Sequence, residues 1–426
     1  MQKLSAPSSP GIYIFKTLGG EVLYIGKAKN LKNRLASYFV KNLAPKTRAM
    51  VSAATKISII KTSTEIEALL LEAKLVRKFM PMFNSELKDD KTPLYITLTK
   101  EDYPRLLTLR KTQLEEFKLS HVWGPFTQST SVRRVMKMLR RIFPYSQHKP
   151  VKRACIYSQI GLCNPCPSEI IAESDPVKKL ELQKQFKRNL GFIKKFLNGN
   201  FASLKKDLEK QMKSASSQDM FELAQEIKNQ LNMIDHITTK SHTPDEYIKD
   251  PNLIDDIRER ELAELIKLIK PYLIIEKLER IECFDVAHLS GTNQTASMVT
   301  FINGEPDKTY YRHFNVHNKN SDVNNMQEVL SRRLKHIDDW GRPDLIIVDG
   351  GKPQVSSGLL VVSNEIPLIG LAKRQETLII KHENKFVEIR LKRGPAMYLV
   401  QRLRDEAHRF ARRLHHKQVS KAFKIR

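Results

Sequence analysis

The sequence predicts an α/β multidomain protein in which two α/β units flank a long helical middle. Three observations predict it. Residues 11–95 alternate short β-branched and aromatic runs with helical patterns. Residues 175–240 carry an almost continuous, heavily charged helical pattern with one polar break at Ser214–Asp219. Residues 278–410 return to strand-like runs that end in acidic residues, with helical stretches between them. No repeat of solenoid period and no low-complexity segment interrupts this order.

The elements follow in turn. Ile12–Phe15 and Val22–Ile25 are β-branched and aromatic, and Leu18-Gly19-Gly20 between them signals a turn, so they form a hairpin. A helix over about Lys29–Phe39 places Arg34 and Tyr38, four apart, on one face. Thr64 with Glu67 is a capping box, and Ala68 to Phe79 continues the helix it opens. Ser131–Cys155 holds eight Lys or Arg and no acidic residue, which suits a solvated helix face and equally a binding face. Leu204, Leu208 and Met212 make one helical stripe, and Phe221, Ala224, Ile227, Leu231 and Ile234 another; with the polar break they predict an αα-hairpin. Ile281–Asp285 is a strand delivering Asp285 at its end, with His288 beyond. Leu345–Gly351 does the same for Asp349 and ends in two glycines. Arg404, Asp405, Glu406 and His408 sit on a third element, a helix.

Composition narrows the function. The 426 residues include 73 Lys and Arg against 47 Asp and Glu, a net charge of +26. A polyanion is the expected partner, because each phosphate neutralised by a basic side chain releases counterions. No long apolar span, lipidation signal or amphipathic anchor points to a membrane, and Met1–Pro10 lacks the apolar core of a secretory signal. Four cysteines cannot form a disulfide framework in a chain this long, so a reducing, cytoplasmic compartment is expected. A monomer is the expected state.

Two groups of residues carry chemistry. Hydrolysis of a phosphodiester needs a base for water, a cation for the phosphoryl charge and a ligand for Mg²⁺; Tyr, Arg and Glu can supply these in turn. Gly11-Ile12-Tyr13, Tyr24-Ile25-Gly26, Lys27, Arg34, Tyr38, Glu72 and Asn84 make up the first group. Two carboxylates and a histidine from three distant segments, Asp285, Asp349 and His408, make up the second and suit one or two divalent metals around a phosphate.

The first group resembles the GIY-YIG nuclease family, and within it the UvrC branch. The resemblance implies that Tyr13 and Tyr24 position or deprotonate the water, that Arg34 stabilises the transition state and that Glu72 holds a single metal, Mg²⁺ or Mn²⁺. Lys27, Tyr38 and Asn84 support them. The runs FDVAH, IIVDGGKPQ and RDEAHRF resemble the UvrC endonuclease domain, similar to ribonuclease H. That maps Asp285, Asp349 and His408 to metal binding, Asp322 to a further acidic position, and His288 and Lys352 to the lining of the site. Met220-Phe221-Glu222-Leu223-Ala224 is similar to the UVR motif that docks on a UvrB-type helicase subunit, although Gln225 and Lys228-Asn229 depart from its usual residues. Ala287 stands where the family usually has Ser, and the helix-hairpin-helix modules usual beyond the nuclease domain do not follow before Arg426. Twelve Lys or Arg over residues 388–426 are expected to replace part of that DNA grip. Finally, Cys155, Cys163 and Cys166 lie within twelve residues, and His148 stands at the position of a fourth cysteine that in UvrC proteins can complete an iron–sulfur cluster; Cys₃His also suits zinc.

The expected layout is a GIY-YIG domain over 8–90, a linker region with the basic helix and cysteine cluster over 91–200, a UVR hairpin over 201–240 and a ribonuclease H-like domain with a basic tail over 245–426. The expected function is nucleotide-excision repair of damaged DNA, cutting on the 3′ side of a lesion from the N-terminal site and on the 5′ side from the C-terminal one. A stand-alone structure-specific nuclease and a non-enzymatic DNA-binding adaptor are the alternatives.

Overall fold

The computed structural model describes residues 6–40, 42–85, 93–237, 242–287, 294–316, 322–363, 365–372 and 376–423. The chain divides into two compact units, residues 1–254 and 255–426.

The first unit opens on the expected hairpin, β1 (Gly11–Lys16) and β2 (Val22–Ala28), with Tyr13 opposite Gly26 and Phe15 opposite Tyr24. Directly opposed residues share a face, so the two tyrosines and Phe15 line one side of the sheet, covered by Leu31, Leu35 and Tyr38. The helix that follows, α1 (Leu31–Ala36), is shorter than the expected Lys29–Phe39. Asn30 caps its start, and Ser37 ends it by donating its hydroxyl to the Arg34 carbonyl at 2.6 Å. Next come α2 (Pro45–Ala53) and β3 (Lys56–Lys61), which pairs with the free edge of β1 to give the antiparallel order β2-β1-β3.

Helix α3 (Glu65–Phe79) starts as expected, with the Thr64 side chain on the Glu67 N–H and the Glu67 carboxylate on the Thr64 N–H. It packs against β1 and β2. The short α4 (Met82–Ser85) follows.

The stretch expected as a linker carries a second antiparallel sheet. Strands β4 (Leu94–Thr99), β5 (Leu106–Arg110) and β6 (Leu119–Phe126) lie in the order β5-β4-β6. The alternation in Leu94-Tyr95-Ile96-Thr97-Leu98-Thr99 was the signal for it, with Ile96 and Leu98 inward. Helix α5 (Ser129–Ile142) is the basic helix: Val132, Val135, Met136 and Leu139 are buried, and Arg133, Arg134, Lys137 and Arg141 are exposed. Arg140 is the exception. It is buried between the rings of Tyr145 and Tyr157, 4.3 and 4.4 Å from their centroids.

Two short helices, α6 (Ile156–Gln159) and α7 (Pro167–Ala172), lead to α8 (Pro176–Leu197), α9 (Phe201–Ser217) and α10 (Phe221–Ile237). The helical middle therefore breaks twice, not once. The additional break is Asn198-Gly199-Asn200, where Gly199 takes φ +75°, a conformation open to glycine. The expected break lies at Gln218–Met220, with Asp219 at φ +57°. Leu204, Leu208, Ile227, Leu231 and Ile234 join α9 and α10 to the same buried cluster as Leu69, Leu98, Leu139 and Phe196. The hairpin is thus part of a core rather than a free spacer. Helix α11 (Pro244–Lys249) also belongs here, because the Tyr247 hydroxyl donates to buried Glu67 at 2.8 Å.

The second unit begins with α12 (Leu253–Ile269) and is built on one mixed sheet. Its strands are β7 (Arg280–Ala287), β8 (Gln294–Ile302), β9 (Glu305–Pro306), β10 (Arg312–Val316), β11 (Leu345–Asp349), β12 (Leu368–Ala372), β13 (Thr377–His382) and β14 (Lys385–Arg390). Their order is β10-β8-β7-β11-β12-β13-β14, with β9 on β8; β7, β11 and β12 are parallel and the other pairs antiparallel. Helices α13 (Asp322–Leu334), α14 (Ile337–Trp340), α15 (Lys352–Leu359) and α16 (Pro395–Phe423) complete the unit.

Alternation along the central strands divides the core. Ile281, Cys283, Leu345 and Ile347 face α12 and α16 through Leu265, Leu399, Leu403 and Ala407. Phe284, Ile346 and Val348 face α13 and α15 through Met326, Leu330 and Val355. Glu282 also points to that second side. There the fully buried Arg333 donates to both its oxygens at 2.8 Å, and Arg280 adds two bonds to Oε1 at 3.0 and 2.8 Å. A buried charge needs such partners to offset its lost hydration.

Candidate active sites

In the first unit, the sheet face and α1 assemble the tyrosines. The Tyr13 hydroxyl lies 2.9 Å from that of Tyr38, and Arg34 bridges them, Nε donating to Tyr13 and Nη2 to Tyr38, both at 3.0 Å. Tyr24 lies beside Tyr13, ring centroids 6.1 Å apart. Gly26 makes room for this: a Cβ there would fall 2.4 Å from the Tyr13 hydroxyl. Burial, then the neighbouring phenols, push the Tyr13 hydroxyl far above its usual range; burial does the same to Tyr24.

Helix α3 brings the carboxylate. Glu72 is fully buried; its Oε1 accepts from the Lys27 N–H at 3.3 Å and from the Thr127 hydroxyl at 2.7 Å. Its Oε2 has no hydrogen-bond partner. Burial pushes the Glu72 carboxyl up to about 7, against the Thr127 hydrogen bond and the Lys27 and Arg34 charges. Lys27 directs its ammonium to Glu65 at 3.0 Å. Asn84 clamps β2 by two bonds of 2.8 Å to the Ile25 backbone. All seven residues singled out in the sequence therefore gather at one end of the small sheet. Thr127 and Glu65 were not anticipated. Thr127 lies 55 positions from Glu72, just past β6, and no sequence spacing marks it.

In the second unit, strand pairing does the positioning. The parallel register sets Ile347 beside Cys283 and Val348 beside Phe284, so Asp349 and Asp285 follow side by side at the strand ends. Both lie on the α16 side, where His408 meets them. His408 Nε2 is 2.9 Å from Asp349 Oδ2 and 3.8 Å from Asp285 Oδ2. Ligand atoms of the three lie within 4.8 Å of one another. Asp349 is almost wholly enclosed, with a side-chain exposure of 1 %, and its Oδ1 has no hydrogen-bond partner. Of the four polar residues of α16 singled out in the sequence, only His408 joins this group. Arg404 pairs with Glu376 at 2.6 Å, Glu406 accepts from Tyr311 at 2.9 Å, and Asp405 is exposed. Lys352 pairs with Glu388 at 2.7 Å. Asp322 opens α13, but its side chain, like His288, lies outside the described residues.

Models of known families match three stretches: a UvrC-like GIY-YIG domain over residues 9–85, a UvrB/UvrC motif over 202–237 and a UvrC RNase H endonuclease domain over 271–411. The UvrABC system protein C of Methanosarcina acetivorans is 30 % identical, over 95 % of this chain and 96 % of the relative. The chain belongs to the UvrABC system protein C family. The same protein of Prosthecochloris aestuarii is also 30 % identical, over 99 % of this chain and 88 % of its own length. Among solved structures, the GIY-YIG N-terminal endonuclease domain of UvrC from Thermotoga maritima, bound to magnesium, is 42 % identical over 19 % of this chain and 88 % of that chain, with a TM-score of 0.18. As a UvrC-family protein the chain is a nuclease of the excinuclease system of nucleotide excision repair. Among the described residues no helix is long and apolar enough to cross a membrane.

Proposed function

We propose that this UvrC-family chain cuts damaged DNA twice, with a UvrB-type subunit as partner. The Glu72 site makes the incision on the 3′ side of the lesion, and the Asp285–Asp349–His408 site makes the one on the 5′ side. What supports the reading most is a feature common to both units: a deeply buried carboxylate oxygen that no protein donor satisfies, on Glu72 and on Asp349. Such a group is costly unless a cation meets it. Both donor sets fit a hard divalent ion such as Mg²⁺ or Mn²⁺, Glu72 in one unit and Asp285, Asp349 and His408 in the other. Bound there, the ion supplies Lewis acidity to a phosphoryl oxygen and lowers the pKa of attacking water.

The chain's own residues do the rest. Neutral tyrosine hydroxyls orient water by hydrogen bonding; Tyr24, half-buried, is more open to it than Tyr13, whose oxygen is engaged by Arg34 and Tyr38. Arg34 holds the Tyr13 and Tyr38 hydroxyls in place and offers its fixed positive charge to the negative charge that develops on the phosphate. Asn84 and Lys27 hold β2 in register with Glu72. The αα-hairpin offers Phe221, 64 % exposed, as the anchor for the partner. The exposed cations of α5 bind DNA phosphates; one of them, Arg134, joins Lys27 and Lys29 in lowering the Glu65 carboxyl, which burial alone would raise.

Incision of lesion-bearing duplex, intact and already nicked on one side, with Mg²⁺ and with or without the partner, tests this. Glu72→Ala is expected to lose only the 3′ cut and Asp349→Ala only the 5′ cut. Loss of both cuts in either variant on pre-nicked substrate contradicts two separate sites. Equal rates without the partner would indicate a stand-alone structure-specific nuclease instead.

A further inference from the structure

We propose that His148, Cys155, Cys163 and Cys166 bind a single zinc ion in a closed tetrahedral site, rather than the iron–sulfur cluster that the family resemblance implies. Distances carry the distinction. His148 Nε2 lies 3.8 Å from Cys163 Sγ and 3.6 Å from Cys166 Sγ, and Cys166 Sγ lies 3.9 Å from Cys155 Sγ. All four ligand atoms fall within 4.8 Å of one another. Around one ion with bonds of about 2.3 Å to sulfur and about 2.0 Å to nitrogen, the edges of a tetrahedron are roughly 3.5–3.8 Å. The observed separations match. An iron–sulfur cluster fails the same test, because its four protein ligands are spread over two or four irons and must bracket the whole cluster. Four atoms this close enclose room for one ion.

The local backbone is built to hold them so. Cys163 and Cys166 have the C-x₂-C spacing of zinc knuckles. The N–H groups of Leu162 and Cys163 both donate to the Tyr157 carbonyl, at 2.8 and 3.1 Å, and Gly161 takes φ +70° to make the turn. Cys155 and Cys166 are the N-cap residues of α6 and α7. His148 Nδ1 lies 2.7 Å from the Lys149 carbonyl. A neutral imidazole that donates Nδ1–H there keeps its Nε2 lone pair for the ion, the usual arrangement of a histidine ligand. Three thiolates and one zinc leave a net negative charge, which Lys149, Lys152 and Arg153 flank.

Four protein ligands leave no open position, so the role is structural. The segment needs one. Helices α6 and α7 have four and six residues, and Ile156 at the start of α6 and Ile160 just past its end are 76 % and 61 % exposed. Ile170 of α7 anchors the end of the segment in the core, but little apolar packing holds residues 151–162, and a metal that binds only the folded arrangement stabilises them directly.

Metal analysis of the untagged full chain, purified anaerobically, tests the assignment. One zinc per chain is expected, with neither iron nor acid-labile sulfide. Cobalt exchange should give the visible absorption of tetrahedral Co²⁺–thiolate. His148→Ala should surrender zinc to a competing chelator at least tenfold more readily, while Cys283→Ala, with its cysteine on β7, should keep it. Stoichiometric iron with acid-labile sulfide would overturn the proposal, and so would a chain that retains no metal. The readouts do not depend on nuclease activity, so they stand apart from the incision experiment.

Discussion

The Thr127 hydroxyl donates to Glu72 Oε1 at 2.7 Å, joining the end of one sheet to the carboxylate of a helix from another. With the Lys27 N–H on the same oxygen, it leaves Oε2 as the free face of the carboxylate. Thr127→Val keeps the shape and removes that hydrogen bond, which to a charged group is worth roughly 1.5–3 kcal/mol. The expected result is a 3′ incision at least tenfold slower at limiting Mg²⁺, partly restored by excess Mg²⁺, with the 5′ incision unchanged. Rates on substrates pre-nicked on either side measure it, and an unaltered Mg²⁺ dependence would remove Thr127 from the site.

Gly26→Ala puts a methyl 2.4 Å from the Tyr13 hydroxyl, closer than the two can sit. Overpacking of this kind costs about 1–3 kcal/mol. The Tyr13–Arg34 bond should break and the 3′ cut fall by more than the stability loss explains. Thermal unfolding and single-turnover incision, measured together, separate the two effects.

Phe221→Ala removes the largest exposed apolar side chain of the hairpin without touching its buried stripe of Ile227, Leu231 and Ile234. Affinity for the UvrB-type subunit should drop by about 2 kcal/mol, as for other interface anchors. Calorimetric titration shows it; unchanged affinity would move the contact elsewhere.

The exposed face of α5 should carry DNA binding. Each phosphate contact contributes about 0.9 to the slope of log K against log salt. Replacing Arg133, Arg134 and Lys137 with Ala should flatten that slope by about 2 to 3. Arg140, buried between two rings, should not contribute to it, and the same titration on an Arg140→Met variant checks this.

Glu67 makes stability depend on pH. Burial pushes its carboxyl up to about 7, against hydrogen bonds from Tyr247, Thr64, His242 and Ser63. The folded state thus holds this proton more tightly than the unfolded chain. The stabilisation is complete below about pH 4.5 and is lost as pH rises through 7. Glu67→Gln cannot titrate, so its stability relative to the native chain should rise between pH 5 and pH 8.5, on the order of 1–3 kcal/mol. Urea unfolding at the two pH values gives the comparison, and a constant difference would show that Glu67 stays ionised.

What the sequence determined by itself was local or periodic. Thr64 and Glu67, three apart, announced the start of α3; strand alternation announced the hairpin; apolar runs ending in Asp285 and Asp349 announced strands with carboxylates at their tips. Such signals exist because residues at fixed short spacing meet whatever the rest of the chain does. Family motifs added which of these residues act together. The tertiary structure alone decided the remainder. It brought Thr127 to Glu72 and set Asp349 beside Asp285 through a parallel register that neither strand encodes alone. It turned His408 rather than Glu406 to the carboxylates, since the packing of Leu403 and Ala407 fixes which face of the helix turns inward, and it paired Arg404, on the same face as His408, with Glu376. It also drew His148 to within metal-ligand range of three cysteines. Contacts between residues far apart in sequence follow from how whole faces pack, and no spacing along the chain records that.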